Sequence, residues 1–478
     1  MEGCSVQSDL KKIHSSITHK FKNAWEALEE NDKKYVFDFS DEYKSFLDKG
    51  KTERECVKEI VTLAKAQGFK SLEEIIKNKE KIKEGMKVYA VNREKAVVLF
   101  VIGKDKIEKG MNILGTHIDS PRLDLKPFPL YEDGELALLK THYYGGIKKY
   151  QWASLPLSLH GVIFKKSGER VDIVIGEEED DPVFFITDLL PHLAKDQAAK
   201  KLADAITGEG LNIIIGNIPL GDKDIKEKVK FNVMKILNEK YGIEEDDFTV
   251  AEIEVVPSGK ARDVGLDRSM IAAYGHDDRV CSFAALKSVF EIEKTEKTCV
   301  AMFMDKEEVG SMGNTGMQSR FFENVLAELI ALQSEAYSDL LVRRALSNSK
   351  ILSGDVGAGF DPNFPDVHDK RNAPYVGKGV ILVKYTGAKG KAGSNDANAE
   401  FLSEVRRIFN ENDVIWQIGE LGKVDQGGGG TIAYILANYG ADVVDCGVPV
   451  LSMHAPYELI SKVDLYMTYK AYKSFLKG

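Results

Sequence analysis

The chain has 478 residues, of which 43 % are hydrophobic and 29 % charged, so it has material for a real core and length for more than one folding unit. Its formal net charge is −10 with an isoelectric point near 5.6, which removes the basic footprint expected of a nucleic-acid binder or of a protein held to an anionic membrane. Five cysteines (Cys4, Cys56, Cys281, Cys299 and Cys446), odd in number and without a CxxC, argue against both a disulfide scaffold and a thiolate zinc site.

The N-terminal MEGCSVQSDLKKIHSS has no apolar h-region, and no apolar run approaches the ~20 residues of a membrane span, so a cytoplasmic protein is expected. Residues 8–70 read as helical: Val57, Ile60, Val61 and Ala64 recur at helical spacing, and Gly68 is a stop signal. Short apolar runs of strand type follow at 96–102 (AVVLFVI), 113–116, 298–304 (TCVAMFM) and 441–444. Helical stretches such as 280–290 and 400–409 alternate with them, which defines an α/β fold on a mostly parallel sheet. Residues 128–247 differ. Strand-like pieces at 171–175 and 212–215, an acidic turn at 177–181 and a helix-like stretch at 195–205 suggest a smaller β-rich domain. It would interrupt a main domain built from 1–127 and 248–478.

Chemistry-type motifs cluster on both sides of this insert. In GTHIDSP, His117 and Asp119 are two apart at a strand end, so both can face one crevice, and a carboxylate near a histidine ligand fixes its orientation. The plain alternative is a strand cap and a turn before Pro121. In GHDDRVCSF, Asp277 and Asp278 head an apolar helix, as ligands or as an ordinary acidic first turn, with His276 a competing ligand candidate. In TCVAMFMDKEEVGSMG a buried-type strand runs into Asp305, Glu307 and Glu308, acids whose desolvation asks for a cation. Neighbours on a strand face opposite ways, so Glu307 and Glu308 can share a site only at a bend, which Gly310 and Gly313 permit. One glutamate would then bind metal and the other act as general base. Asp355 in SGDVGAGFDPNFP and His454 in LSMHAPYE complete the set, though each alone also reads as a turn or structural residue. Together His117, Asp277, Glu308, Asp355 and His454 are nitrogen and oxygen ligands suited to zinc, cobalt or manganese in a site with an open position. Two divalent ions, three carboxylates and one hydroxide would be neutral together and could be buried.

In order, GTHIDSPRLDLKP, LLPHLA, GHDDRVCSF, DKEEVGS, SGDVGAGFDPNF and LSMHAP resemble the M18 metallopeptidases, the aspartyl aminopeptidase and aminopeptidase I family, over nearly the whole chain. KTHYYGGIKKYQW and KVDQGGGGTIAYILANYG resemble a bacterial branch. The resemblance implies a zinc-exopeptidase α/β domain interrupted by a β-rich dimerisation domain, assembled as a tetrahedral dodecamer that admits peptides. It implies two zinc ions per subunit: one on His117 and Asp355, the other on Glu308 and His454, with Asp277 bridging. Glu307 would be the general base and Asp119 would support His117.

The chain departs from the family pattern at the substrate side. In aspartyl aminopeptidases a histidine just after the GG of the insert reaches a neighbouring subunit's site, and Tyr150 stands there. A lysine that binds acidic substrate side chains is replaced by Val383, with Lys384 one step away on the opposite strand face. The GGGG at 427–430 offers backbone amides, Gly428 and Gly429 among them, to a substrate or is simply a flexible turn. The alternatives are a carboxypeptidase or deacylase on the same scaffold, or an inactive shell-forming homologue. The second would have lost a ligand or the base, and all seven positions are filled.

Overall fold

The apolar runs become strands of a nine-stranded sheet. The computed structural model describes residues 10–478 apart from 15, 19, 222, 335 and 394. Cys4 and the first nine residues, on which the expectation of no leader partly rests, lie outside them. The strands run in the order Lys70–Ser71, Lys87–Asn92, Ala96–Val101, Thr298–Met304, Met111–His117, Lys350–Ser353, Asp442–Gly447, Val380–Val383 and Trp416–Ile418. The four neighbours from Thr298–Met304 to Asp442–Gly447 are mutually parallel. Ala96–Val101 and Val380–Val383 flank them antiparallel. Every residue of Ala96–Val101, Met111–His117 and Thr298–Met304 is buried, because helices cover both faces.

One face is covered by the helices Glu30–Lys49, Glu53–Ala66, His276–Phe290 and Lys462–Lys477. A capping box between Thr52 and Glu55 starts the helix Glu53–Ala66, which ends just before Gly68 at φ +83°. The helix Phe321–Gln333 contributes Phe322, Leu326 and Leu329 to the core on the other face.

A second, wholly antiparallel sheet of six strands has the order Arg170–Ile175, Leu157–Phe164, Glu252–Pro257, Arg122–Asp133, Leu136–Tyr144 and Ile213–Gly216. It has its own core around Trp152, Leu157 and Val255. The helix expected over 195–205 is broken into the single turns Lys195–Ala198 and Leu202–Ala205. Neither turn buries a residue, so no apolar stripe holds them in one helix.

A third sheet has five short strands, among them Met270–Ala273, Glu458–Ser461 and Gly357–Ala358, the last of which follows the carboxyl end of Lys350–Ser353. Cys56, Cys281, Cys299 and Cys446 are free and buried. Among the described residues, no helix is long and apolar enough to cross a membrane.

Candidate metal centre

The parallel register brings three chain ends together. Met304 is paired with His117 and Ser353 with Gly115, so the segments beyond them leave the sheet side by side. His117 is 1 % exposed and its Nδ1 lies 3.1 Å from the Asp119 carbonyl. A carbonyl only accepts, so Nδ1 carries the proton and Nε2 faces the cluster. Asp119 lies behind: its Oδ1 accepts from the Glu307 N–H at 3.1 Å and its Oδ2 from the Glu308 N–H at 3.2 Å.

Beyond Met304 the chain turns at Lys306, whose φ is +68°, rather than only at the glycines that follow. Lys306 reverses the backbone before the glutamates, and the 3₁₀ turn Glu307–Val309 then presents both to one crevice. Asp277 and Asp278 are not a helical first turn: their dihedrals (φ −78°, ψ 110° and φ −113°, ψ 33°) depart from helix, and the helix proper starts after them. Asp355 follows Gly354, where a Cβ would come within 2.6 Å of Tyr472 Oη and 2.7 Å of Thr116 Cγ2. Only glycine lets that carboxylate approach. His454 also stands in the left-handed region at φ +64°.

The two oxygens of Asp277 face two different imidazoles. Oδ1 is 3.2 Å from His117 Nε2, and Oδ2 is 3.2 Å from His454 Nε2. Asp355 Oδ1 lies 3.8 Å and Glu307 Oε2 4.0 Å from His117 Nε2, while Glu308 Oε2 lies 3.4 Å from His454 Nε2. Two groups, His117–Asp277–Glu308 and His117–Glu307–Asp355, each offer ligand atoms within 4.8 Å of one another. Among the described residues no lysine or arginine is ion-paired with Asp277, Glu307, Glu308 or Asp355. Asp277 Oδ1 and Glu308 Oε1 are buried without a hydrogen-bond partner.

The proton affinities follow from this crowding. Burial pushes Glu307 up to about 8 against the pull of His117, and it raises Glu308 and Asp355 as well. Burial also works against the imidazolium form of His117 and His454. Asp119, Asp277 and Asp355 nevertheless hold His117 well above the usual range, and Asp277 and Glu308 bring His454 to about 10. Burial opposes ionisation of Asp277 too, yet the two imidazoles keep its carboxyl well below the usual range. Such a cluster takes up protons that a divalent cation would displace, so the donor set and its orphaned oxygens fit a metal.

His276 is no ligand. Its Nε2 donates to the Ile271 carbonyl at 3.0 Å, its Nδ1 accepts from Tyr43 Oη at 2.8 Å, and burial lowers it to about 3. Two supports escaped the sequence reading. Glu458 accepts from the Asp277 N–H at 2.9 Å and the His454 N–H at 2.6 Å, and the Gly146 carbonyl accepts from His454 Nδ1 at 2.9 Å. An acid heading the short strand Glu458–Ser461 was the available signal for the first.

A cavity of about 710 Å³ opens beside the cluster, within the usual size of a ligand site. Val356, Ile381, Val383, Thr431 and Met453 line it, as do Gly428 and Gly429. A Cβ at Gly428 would meet Ala388 Cβ at 2.4 Å, so close packing requires glycine there. Lys384 and Tyr150 are not among the described lining residues. Lys384 Nζ lies 3.5 Å from Asp396, and Tyr150 is 40 % exposed in the turn Lys149–Trp152.

Histidines and carboxylates gathered at the carboxyl end of an α/β sheet, beside a cavity of that size, are the arrangement of a metallohydrolase. The profile of the family described as aminopeptidase I zinc metalloprotease (M18) matches residues 46–476. A probable M18 family aminopeptidase 1 of Clostridium acetobutylicum is 54 % identical, covering 97 % of this chain and 100 % of that one. The crystal structure of an M18 aminopeptidase from Thermotoga maritima superposes with a TM-score of 0.92 at 49 % identity, over 96 % of this chain and 100 % of that one. A yeast aminopeptidase 1 dodecamer shares the fold, with a TM-score of 0.73 at 22 % identity over 93 % of this chain and 97 % of that one. The chain belongs to the M18 family of zinc aminopeptidases, and its large sheet is the zinc-exopeptidase-like α/β fold.

Proposed function

We propose that this aminopeptidase removes N-terminal residues from peptides with two divalent cations per chain and Glu307 as general base. The observation that carries this reading is the Asp277 carboxylate, which turns one oxygen to each imidazole. His117 and Asp355 would hold one ion, Glu308 and His454 the other, with Asp277 between them. Zinc suits these donors, as do cobalt and manganese. When bound, such ions supply Lewis acidity, which lowers the pKa of water towards neutrality and polarises a scissile carbonyl. Glu307 takes the proton of the attacking water and returns it to the leaving amine. Asp119 holds the Glu307 and Glu308 backbone in register with His117.

The substrate's first side chain would enter the cavity beside Val356, Ile381, Val383 and Met453. They form the apolar part of a wall that also carries Lys389, Lys391 and Lys423. Gly428 and Gly429 would bring their backbone to it.

The region 128–247 is read as the dimerisation and lid domain of a tetrahedral dodecamer that takes peptides rather than folded proteins. Exposed Phe128, Leu193 and Ile218, at 69, 67 and 72 %, support an interface there, as does the yeast relative's dodecamer. A cytoplasmic location belongs to the same reading, since all four described cysteines are free thiols.

Reloaded with zinc, cobalt or manganese, the protein is expected to cleave free-amine aminoacyl substrates and to leave N-acetylated ones intact. Metal analysis should find two ions per chain, and fewer in His454→Ala. Equal cleavage of blocked substrates, or two ions retained in His454→Ala, would overturn the reading. Light scattering tests the oligomer, and a monomer in solution would sink that part.

A further inference from the structure

Tyr144 ends the strand Leu136–Tyr144 of the six-stranded sheet and bears no metal-type ligand. Its Oη donates to Asp119 Oδ2 at 2.8 Å. That carboxylate, whose side chain is 0 % exposed, also accepts the Glu307 and Glu308 N–H groups. It lies 3.4 Å from His117 Nδ1 as well. One buried carboxylate therefore meets two elements of the large sheet's crevice, the end of Met111–His117 and the turn Glu307–Val309, and one phenol of the second sheet. Without the phenol, each carboxylate oxygen would keep a single backbone donor, the Glu307 N–H on Oδ1 and the Glu308 N–H on Oδ2, and the carboxylate would be held less tightly about its last torsion.

The phenol is itself fixed. The Arg122 guanidinium carbon lies 3.9 Å from the Tyr144 ring centroid, and the two residues are direct cross-strand partners. Arg122 is held in turn by Glu53 at 3.4 Å, Asp124 at 2.8 Å and Glu254 at 3.3 Å. Burial, with the charge of Asp119 behind it, pushes the phenol far above its ordinary range, so it remains a donor at any working pH. Just beyond it, a Cβ at Gly145 would sit 3.4 Å from Glu308 Cβ, and the Gly146 carbonyl accepts a hydrogen bond from His454 Nδ1. The segment 144–146 thus touches both halves of the metal centre from the second sheet.

We propose that Tyr144 is a positioning residue for the aminopeptidase reaction. Acting through Asp119, it fixes the turn that carries Glu307 and Glu308 and the orientation of His117. This rests on the roles given to those three residues above.

Tyr144→Phe keeps the ring under Arg122 and removes only the O–H. Its melting midpoint should stay close to wild type. Zinc affinity, read by competition with a chelator, and kcat should each fall by roughly ten- to a hundredfold, with KM little changed. In an Asp119→Asn background the same substitution should cost less than about twofold, since the route through the carboxylate is already lost. Wild-type zinc affinity and kcat in Tyr144→Phe would overturn the proposal. So would an undiminished loss in the Asp119→Asn background. Glu307→Gln serves as the control: full activity there would remove the general-base reading, while the chelator titration still decides on Tyr144.

Discussion

Around Arg122, the carboxylates of Glu53 and Glu254 are buried 3.4 and 3.3 Å from a guanidinium, with Lys95 3.6 Å from Glu53. Around His117, the carboxylates of Asp277, Glu308 and Asp355 are as deeply placed, yet the cationic partners are two imidazoles alone. In the first cluster burial works against Glu53, but Arg122 and Lys95 hold it down at about 2, while burial lifts Glu254 above its usual range against the pull of Arg122. Fixed cations make that cluster self-sufficient. The second has none, and its demand for positive charge is open to an ion from solution. Buried acids alone do not mark a metal site; buried acids facing only titratable nitrogens do.

The sharpest way to break this contrast is to remove the proposed base without disturbing the proposed ligands. Glu307→Gln should lower kcat by roughly 10²- to 10⁴-fold while zinc content, read by metal analysis, stays unchanged. In the first cluster the same kind of surgery should act on folding. Arg122→Met strands two buried carboxylates and should lower unfolding free energy by about 3–5 kcal/mol in denaturant titrations. If it costs less than about 1 kcal/mol, the cluster is not held together as described.

A smaller effect concerns what enters the cavity. Val383→Lys should shift kcat/KM by about tenfold in favour of Asp- and Glu-aminoacyl substrates over leucyl ones, as a charge replaces an apolar side chain on the cavity wall. An unchanged ratio would mean that Val383 does not face the first side chain.

The smallest is a pH effect remote from the centre. Glu177 accepts from Lys51 Nζ and faces His160, and these partners outweigh burial and lower its carboxyl from 4.5 to about 2. A depressed folded-state value gives stability that is complete above pH 4.5 and is lost as pH falls towards 2. Glu177→Gln should therefore melt several degrees lower than wild type at neutral pH, with the gap closing through that acid window. A gap that persists at the acid end would show that the loss comes from packing instead of charge.

Where the signal was local, the sequence could be read. Continuous apolar runs marked Ala96–Val101 and Thr298–Met304 because both faces of those strands are covered, and the acids just past Met304 stood out against that background. Supports made by distant segments could not be read. Tyr144 reaches Asp119 from another sheet, and Glu458 and Gly146 grip His454 from opposite sides of the site. No periodicity connects such pairs. The bend before Glu307 was also hidden, since a lysine at φ +68° carries no turn signature of the kind glycine does. The helix expected over 195–205 failed for the opposite reason, because propensity without a buried face does not sustain more than a turn.

Lys306 and His454 both occupy left-handed backbone positions that glycine or asparagine would fill with less strain, at a cost of order 1–3 kcal/mol each. Engineering that ranks substitutions by backbone comfort would therefore nominate these two positions early, and a gain in melting temperature at His454 would come with loss of the histidine. With His454 in its proposed ligand role, selection for heat tolerance alone would pull the protein towards a sturdier but inert form. Directed evolution of this chain needs turnover as a second criterion from the first round.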